Sequence, residues 1–194
     1  VSFSLFRFGS WRARVWAFVM MGLARRHLRK VESINFWKLC GSGSGEGFTP
    51  IPNTSVYAIL ATWPDEASAT RAIENDPLFQ RYKTHASEHW SLFMSTDTAR
   101  GAWSGKTPFI PTQHNKTGPL VALTRATIKP SIAARFWRRV PNISSVIGQD
   151  PNVLFKLGVG EIPLLPQVTF SLWPHAAQMA NFVRTGPHAE ASKP

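Results

Sequence analysis

Apolar and polar positions alternate over "SFSLFRF", a period that predicts a strand from Ser2 to Phe8. From Trp11 to Arg29 the apolar residues recur every three or four positions instead, which predicts a basic amphipathic helix. Short β-rich runs follow at Ile34 to Cys40 and Val56 to Trp63. Asp65, after Pro64, is placed to cap a helix through Ile73, and Pro77 to Glu88 continues a helical pattern before a strand at Trp90 to Ser95. The predicted order is β-α-β-β-α-β, the ferredoxin-like unit.

The second half repeats the pattern. Strands are predicted at Leu120 to Ile128, Val153 to Leu157 and Val168 to Leu172, with helices at Pro130 to Arg139 and His175 to Arg184. "WKLCGSGSGEG" at 37 to 47 resembles "FKLGVGEI" at 155 to 162, so that Lys38 matches Lys156 and Glu46 matches Glu161. Trp63-Pro64 answers Trp173-Pro174 in the same way. We therefore expect an α+β chain of tandem ferredoxin-like repeats, 1–99 and 119–194, joined by a Gly/Pro-rich linker at 100–118. The second repeat is expected to be incomplete, with no counterpart of the Trp90 strand before Pro194. An open sheet edge of that kind calls for a covering partner or further chain.

Composition narrows the function classes. With 43% hydrophobic residues, eight tryptophans and thirteen phenylalanines, 194 residues can build a core and still line a cavity for a flat or apolar ligand. The net charge of +11 is concentrated in two runs without Asp or Glu, 1–31 and 119–149. That field favours a polyanion, and no zinc-finger spacing or RNA-binding aromatic signature points to nucleic acid. The two predicted basic helices point instead to an anionic membrane surface. Arg12, Arg14, Arg25 and Arg26 in the first, with Arg135, Arg138 and Arg139 in the second, would meet headgroups. Phe18, Val19, Leu23, Phe136 and Trp137 would turn inward or toward lipid. The longest apolar stretch, Trp16 to Ala24, is far shorter than the ~20 residues needed to span a bilayer. A cytoplasmic protein peripheral to the inner or photosynthetic membrane is the expectation, and the single Cys40 suits a reducing compartment.

Few residues carry recognisable chemistry. The glycines of "CGSGSGEG" follow a strand as a phosphate loop would, but Thr49-Pro50-Ile51-Pro52 comes next where a helix N-terminus is required. They read as a turn between the second and third strands, with Cys40-Gly41-Ser42 an insertion of the first copy expected at the rim of the pocket. His188 stands where the repeat places Leu78, so one half has an imidazole in place of an apolar side chain, as an axial haem ligand would require. Cys40 is the weaker alternative, a thiolate ligand or a small core residue. His85 and His89 are spaced to share a helical face, yet lack the glutamate that follows the first histidine of a zinc-protease motif. His27, His114 and His175 follow no pattern.

Four blocks, "FRFGSWRARVWAFVMMGLAR", "FWKLCGSGSGEGFTPIPNTSVYAILATWPDE", "ARGAWSGKTPF" and "KLGVGEIPLLPQVTFSLWP", resemble the spheroidene monooxygenases of carotenoid biosynthesis over nearly the whole chain. The resemblance implies a dimeric α/β-barrel-type fold of two ferredoxin-like halves. It also implies O₂-dependent introduction of a keto group at C2 of an acyclic carotenoid, with haem as cofactor and an electron donor as partner. In this family the second Trp-Pro is followed by a Gly-His-Ala element. "GPHA" at 186–189 is similar, with Pro187 inserted, and makes His188 the implied proximal ligand. Family members continue past this element, which the chain does not. Two other readings stay open: a non-catalytic haem- or carotenoid-binding protein attached to a membrane complex, and a related barrel enzyme of the aldoxime dehydratase or cofactor-free monooxygenase kind. A homo-oligomer fits any of these.

Overall fold

A computed structural model of the chain describes residues 1–45, 49, 51–112, 118–127, 151–161 and 166–185. The chain divides into two compact units, Val1–Gly41 with Thr54–Asn115, and Ser42–Asn53 with Lys116–Pro194. Seven strands and four helices lie among the described residues, an α+β composition.

The elements of the first unit are β1 (Ser2–Arg7), α1 (Trp11–Leu28), most of β2 (Phe36–Gly43) and of β3 (Pro52–Thr62), α2 (Glu66–Asn75), α3 (Pro77–His85) and β4 (Glu88–Phe93). Its strands are ordered β4-β1-β3-β2, with β1 antiparallel to both neighbours, which is the ferredoxin-like arrangement. Each of these helices begins at a side-chain cap, that of α2 at the predicted Asp65. Ser10 Oγ accepts from the Ala13 amide (3.2 Å), Asp65 Oδ1 from the Ser68 amide (2.7 Å) and Asp76 Oδ1 from the Leu78 amide (2.8 Å). Pro77 follows Asp76 at the first position of α3, where its missing N–H costs nothing.

Alternation decides which side chains meet the helices. Phe6, Phe8, Leu39, Tyr57, Ile59, Ala61 and Trp63 pack with Ala17, Met20, Ala24 and Leu28 of α1, Ala69 and Ile73 of α2, and Leu78, Phe79 and Tyr82 of α3. Phe79 and Phe8 are fully buried in this cluster. The Trp63 indole N–H donates to Ser2 Oγ (2.8 Å), so its polar edge is satisfied where no water reaches it.

The second unit holds β5 (Leu120–Thr127), β6 (Phe155–Gly160), β7 (Pro166–Trp173) and, as α4 here, Ala176–Thr185. β7 pairs antiparallel with β5 on one side and β6 on the other. Trp173 packs on Phe182 of α4 with ring centroids 5.3 Å apart, and its N–H donates to Ser171 Oγ (3.0 Å). The second Trp-Pro thus sets an indole against a helix and hands its N–H to a serine, as the first does.

Three expectations are corrected. The helical pattern to Glu88 breaks at His85: Ala86 is extended (ψ 141°), and the Ser87 amide donates to Arg7 O (2.8 Å) to start β4 along β1. His85 and His89 consequently lie on different elements, not on one helical face. Cys40, Gly41 and Ser42 belong to β2 rather than to a turn, because the ladder continues to Gly43, and the Ser44 amide then donates to Ile51 O (2.7 Å). Gly45, at φ +64°, is the glycine that the turn needs. The helix expected at 130–139 lies outside the described residues.

Candidate functional site

Because strand side chains alternate, the residues between those of the helix-side cluster face the other way. On β1 these are Phe3 and Leu5; they pair with Leu60 and Ala58 on β3 and with Leu92 and Trp90 on β4. On β2 they are Phe36, Lys38 and Cys40, since Leu39 packs on the helix side. Directly paired residues share a face. The first unit's sheet therefore has a second face, free of its own helices α1, α2 and α3 and termed helix-free in that sense, built from Phe3, Leu5, Phe36, Cys40, Ala58 and Leu60, all buried at less than 9% exposure.

One corner of this surface is closed by the segment after β4. Trp103 and Lys106 exchange backbone hydrogen bonds (2.7 and 3.2 Å) around Ser104 (φ 53°) and Gly105 (φ 73°), a two-residue turn with both central residues left-handed. The turn presents the Trp103 indole, 4% exposed, to Phe36 (5.8 Å between centroids) and Phe109 (6.2 Å). The Lys38 ammonium lies 5.4 Å from the Phe36 ring centre and 5.7 Å from that of Trp103, and donates to Ser104 Oγ (2.7 Å). A cation is thus held against two aromatic rings at the edge of an apolar wall. The "linker" contains this structured plug. Lys38 was visible beforehand only as a match to Lys156, and its partner lies 66 positions away.

Of the expected ligands, Cys40 is in no disulfide, is 1% exposed, and stands two positions from Lys38 on the same face. His188 lies outside the described residues, as does His114. None of the first unit's imidazoles stands on this face of its sheet. His27 Nε2 meets both oxygens of Asp76 (2.9 and 3.0 Å), an ion pair when the ring is protonated. His85 stacks on Trp16 at 3.9 Å and donates from Nδ1 to Arg81 O (2.8 Å). His89 and His175 are exposed. Among the described residues no three His, Cys, Asp or Glu gather to hold a metal.

Buried polar groups are few. Tyr82 OH and Thr62 Oγ1 are both buried without a hydrogen-bond partner. Thr62 alternates onto the helix-free side, while Tyr82 sits in the helix-side core. Burial pushes the Tyr82 phenol well above its ordinary value, with a further contribution from Tyr57, and burial raises Tyr57 as well.

Arg12, Arg14, Arg25 and Arg26 are exposed on α1, and Arg135, Arg138 and Arg139 lie outside the described residues. Phe18, Val19 and Leu23 turn outward, at 70%, 50% and 54% exposure, which removes the inward alternative. No helix among the described residues is long and apolar enough to cross a membrane.

These features define an α+β protein of ferredoxin-like build whose first unit has a buried apolar and aromatic sheet face, with no metal-holding cluster among the described residues. The chain is 48% identical to the spheroidene monooxygenase of Rhodobacter capsulatus over 98% of its own length and 80% of that protein's. It is 44% identical to that of Cereibacter sphaeroides over its whole length and 60% of the relative's, and 31% identical to that of Rubrivivax gelatinosus over 92% and 70%. The chain belongs to the spheroidene monooxygenase family, a family of enzymes. It therefore spans less than two thirds of the Cereibacter relative. No family model matches the chain. A presumed monooxygenase of Fusobacterium nucleatum gives a TM-score of 0.38 at 9% identity, covering 98% of this chain and 82% of that one. An anthrone oxidase-like protein gives 0.32 at 9%, covering 96% and 78%, and neither likeness carries an argument.

Proposed function

We propose that this protein is an O₂-dependent monooxygenase that sets a keto group at C2 of an acyclic carotenoid of the spheroidene kind. The observation that carries the reading is kinship with enzymes named for spheroidene over 98% of the chain. The helix-free surface supports it, since a polyene is apolar along its length and needs a wall that excludes water. Phe3, Leu5, Ala58 and Leu60 make that wall, and the Trp103 plug bounds it. Two successive oxygen insertions at one carbon give a gem-diol that loses water to the ketone, each insertion consuming O₂ and two electrons from a donor.

Haem is the cofactor that the family resemblance implies, and His188, with Cys40 as the alternative, would hold it. When bound it would supply the activation of O₂, while the chain's own residues hold the substrate end and keep the site dry. The shared strand neighbours in the two units, β1-β3-β2 and β5-β7-β6, support reading them as tandem ferredoxin-like repeats of the dimeric α/β-barrel type.

The test is an absorption spectrum of the full-length protein, followed by turnover of spheroidene with O₂ and a reductant. A Soret band lost in His188→Ala and kept in Cys40→Ala supports the assignment, together with a ketone product. Haem kept at full occupancy in His188→Ala removes that ligand. Carotenoid recovered bound and unchanged would favour a binding protein.

A further inference from the structure

α1 is apolar on two sides. Ala17, Met20, Ala24 and Leu28 are buried against the sheet, while Trp11, Val15, Phe18, Val19 and Leu23 stand exposed on the opposite side, Trp11 and Phe18 at 69% and 70%. At 3.6 residues per turn these five fall within an arc of about 140°. They are five of the nine large hydrophobic residues that are exposed among those described, so the exposure is concentrated on one helix.

The charged side chains that α1 itself carries around this stripe have one sign. Arg12 lies over the Trp11 ring at 5.6 Å, Arg14 stands on one flank, and Arg25 and Arg26 close the helix before Arg29 and Lys30. No acid occurs before Glu32. A second copy docked face to face would set arginine against arginine, and nucleic acid has no use for five outward apolar side chains. An anionic bilayer answers both features, the apolar side chains entering the acyl boundary and the guanidinium groups remaining at the phosphates.

We propose that the outer face of α1 is a docking surface for an anionic lipid membrane, with Trp11 and Phe18 as its inserted anchors. The surface stands whichever reaction the protein performs.

The test is co-sedimentation of the full-length chain with vesicles of phosphatidylcholine plus phosphatidylglycerol, against vesicles of phosphatidylcholine alone. Binding is expected to the first, to fall as salt is raised toward 1 M, where the Debye length is about 3 Å. Arg25→Gln with Arg26→Gln lowers partitioning about thirtyfold, from ~1 kcal/mol per basic residue at the surface. Trp11→Ser with Phe18→Ser lowers it about tenfold or more, and because both side chains are exposed the melting curve stays that of the parent. Absence of binding at low salt, or equal binding by the Trp11/Phe18 variant, overturns the proposal. So does duplex-DNA binding without vesicle binding, or a dimer that dissociates on Phe18→Ser without vesicle binding. Vesicle binding without ketone formation leaves the docking surface in place, and turnover without vesicle binding removes it alone.

Discussion

Replacing Trp103 by alanine tests whether the turn after β4 is part of the apolar wall or merely passes over it. The indole is 4% exposed and touches Phe36 and Phe109. A tryptophan buries up to ~250 Å² and an alanine far less, so truncation exposes or empties roughly 150 Å². At ~25 cal/mol per Å² that is about 4 kcal/mol, within the 3–5 kcal/mol typical of Trp→Ala in a core. Against a total stability of roughly 5–15 kcal/mol, such a loss shifts a urea or guanidinium midpoint plainly. Far-UV circular dichroism of parent and Trp103→Ala, with linear extrapolation, measures it.

The same site allows a second reading in one cycle. Lys38→Met keeps the stem and removes the charge, so comparing Lys38→Met, Trp103→Leu and the double variant isolates the ammonium–ring coupling. With Nζ 5.7 Å from the Trp103 ring centre and half-buried, the coupling is expected at about 0.5–1 kcal/mol. A Trp103→Ala protein within ~0.5 kcal/mol of the parent would mean that the indole is not packed as argued. A coupling of zero would mean that the Trp103 ring does not help to hold Lys38.

The other predictions concern the supports of the fold. Tyr82→Phe removes a buried hydroxyl that has no partner, so stability is expected to stay level or rise by up to ~1 kcal/mol; a loss beyond that would show that the hydroxyl is satisfied. In the parent, the Tyr82 phenol should resist alkaline titration longer than an exposed tyrosine, followed by absorbance near 295 nm. Asp65, held below its ordinary value chiefly by the Ser68 amide, stabilises when ionised. The stability gap between parent and Asp65→Ala is then full above about pH 5 and closes as acid protonates the folded carboxylate, whereas Asp65→Asn keeps a cap without that pH dependence. Gly105→Ala meets no atom within 4 Å of its new Cβ, but its φ of +73° makes it cost about 1 kcal/mol by denaturant titration.

Much of the first unit could be read from local pattern because its signals are local. Alternation over "SFSLFRF" and the Asp65 and Pro77 cap positions need no distant partner to be interpreted. What escaped the reading depended on contacts far along the chain. β4 begins at Glu88, earlier than the helical pattern allows, because the Ser87 amide finds Arg7 O, 80 positions away. Gly41 stays in β2 although glycine favours turns; a Cβ there would come 3.9 Å from the Tyr57 ring, ordinary contact for a strand position. The period of α1 marked a helix without choosing its buried side, since small Ala17 and Ala24 face the sheet while Phe18 and Trp11 face out. Lys38 and Trp103 form the one charged feature of the wall that local pattern left without a partner. His188 was found by comparing the two halves, and the described residues neither place it nor replace it.

The two faces of the first unit's sheet divide the work along chemical lines. On the helix side, polar atoms are spent on holding the fold: the Trp63 N–H on Ser2, Ser4 Oγ on Ser91 Oγ (2.7 Å), and Asp76 on both Leu78 and His27. On the helix-free side the paired positions are Phe3, Leu60 and Leu92, then Leu5, Ala58 and Trp90, and the polar groups retreat to the margins, with Lys38 at the Trp103 plug and the Arg7–Glu88 pair (3.5 Å) at the far end. A wall so poor in hydrogen-bonding groups discriminates by shape, because an added or missing methylene in an apolar site is worth only about 1–3 kcal/mol. On the proposed reaction, substitutions that narrow this face, Ala58→Leu above all, should change which carotenoid end is accepted before they change the oxidation itself. If Ala58→Leu slowed turnover of every acyclic carotenoid equally, this face would be a structural wall rather than the one that reads the substrate.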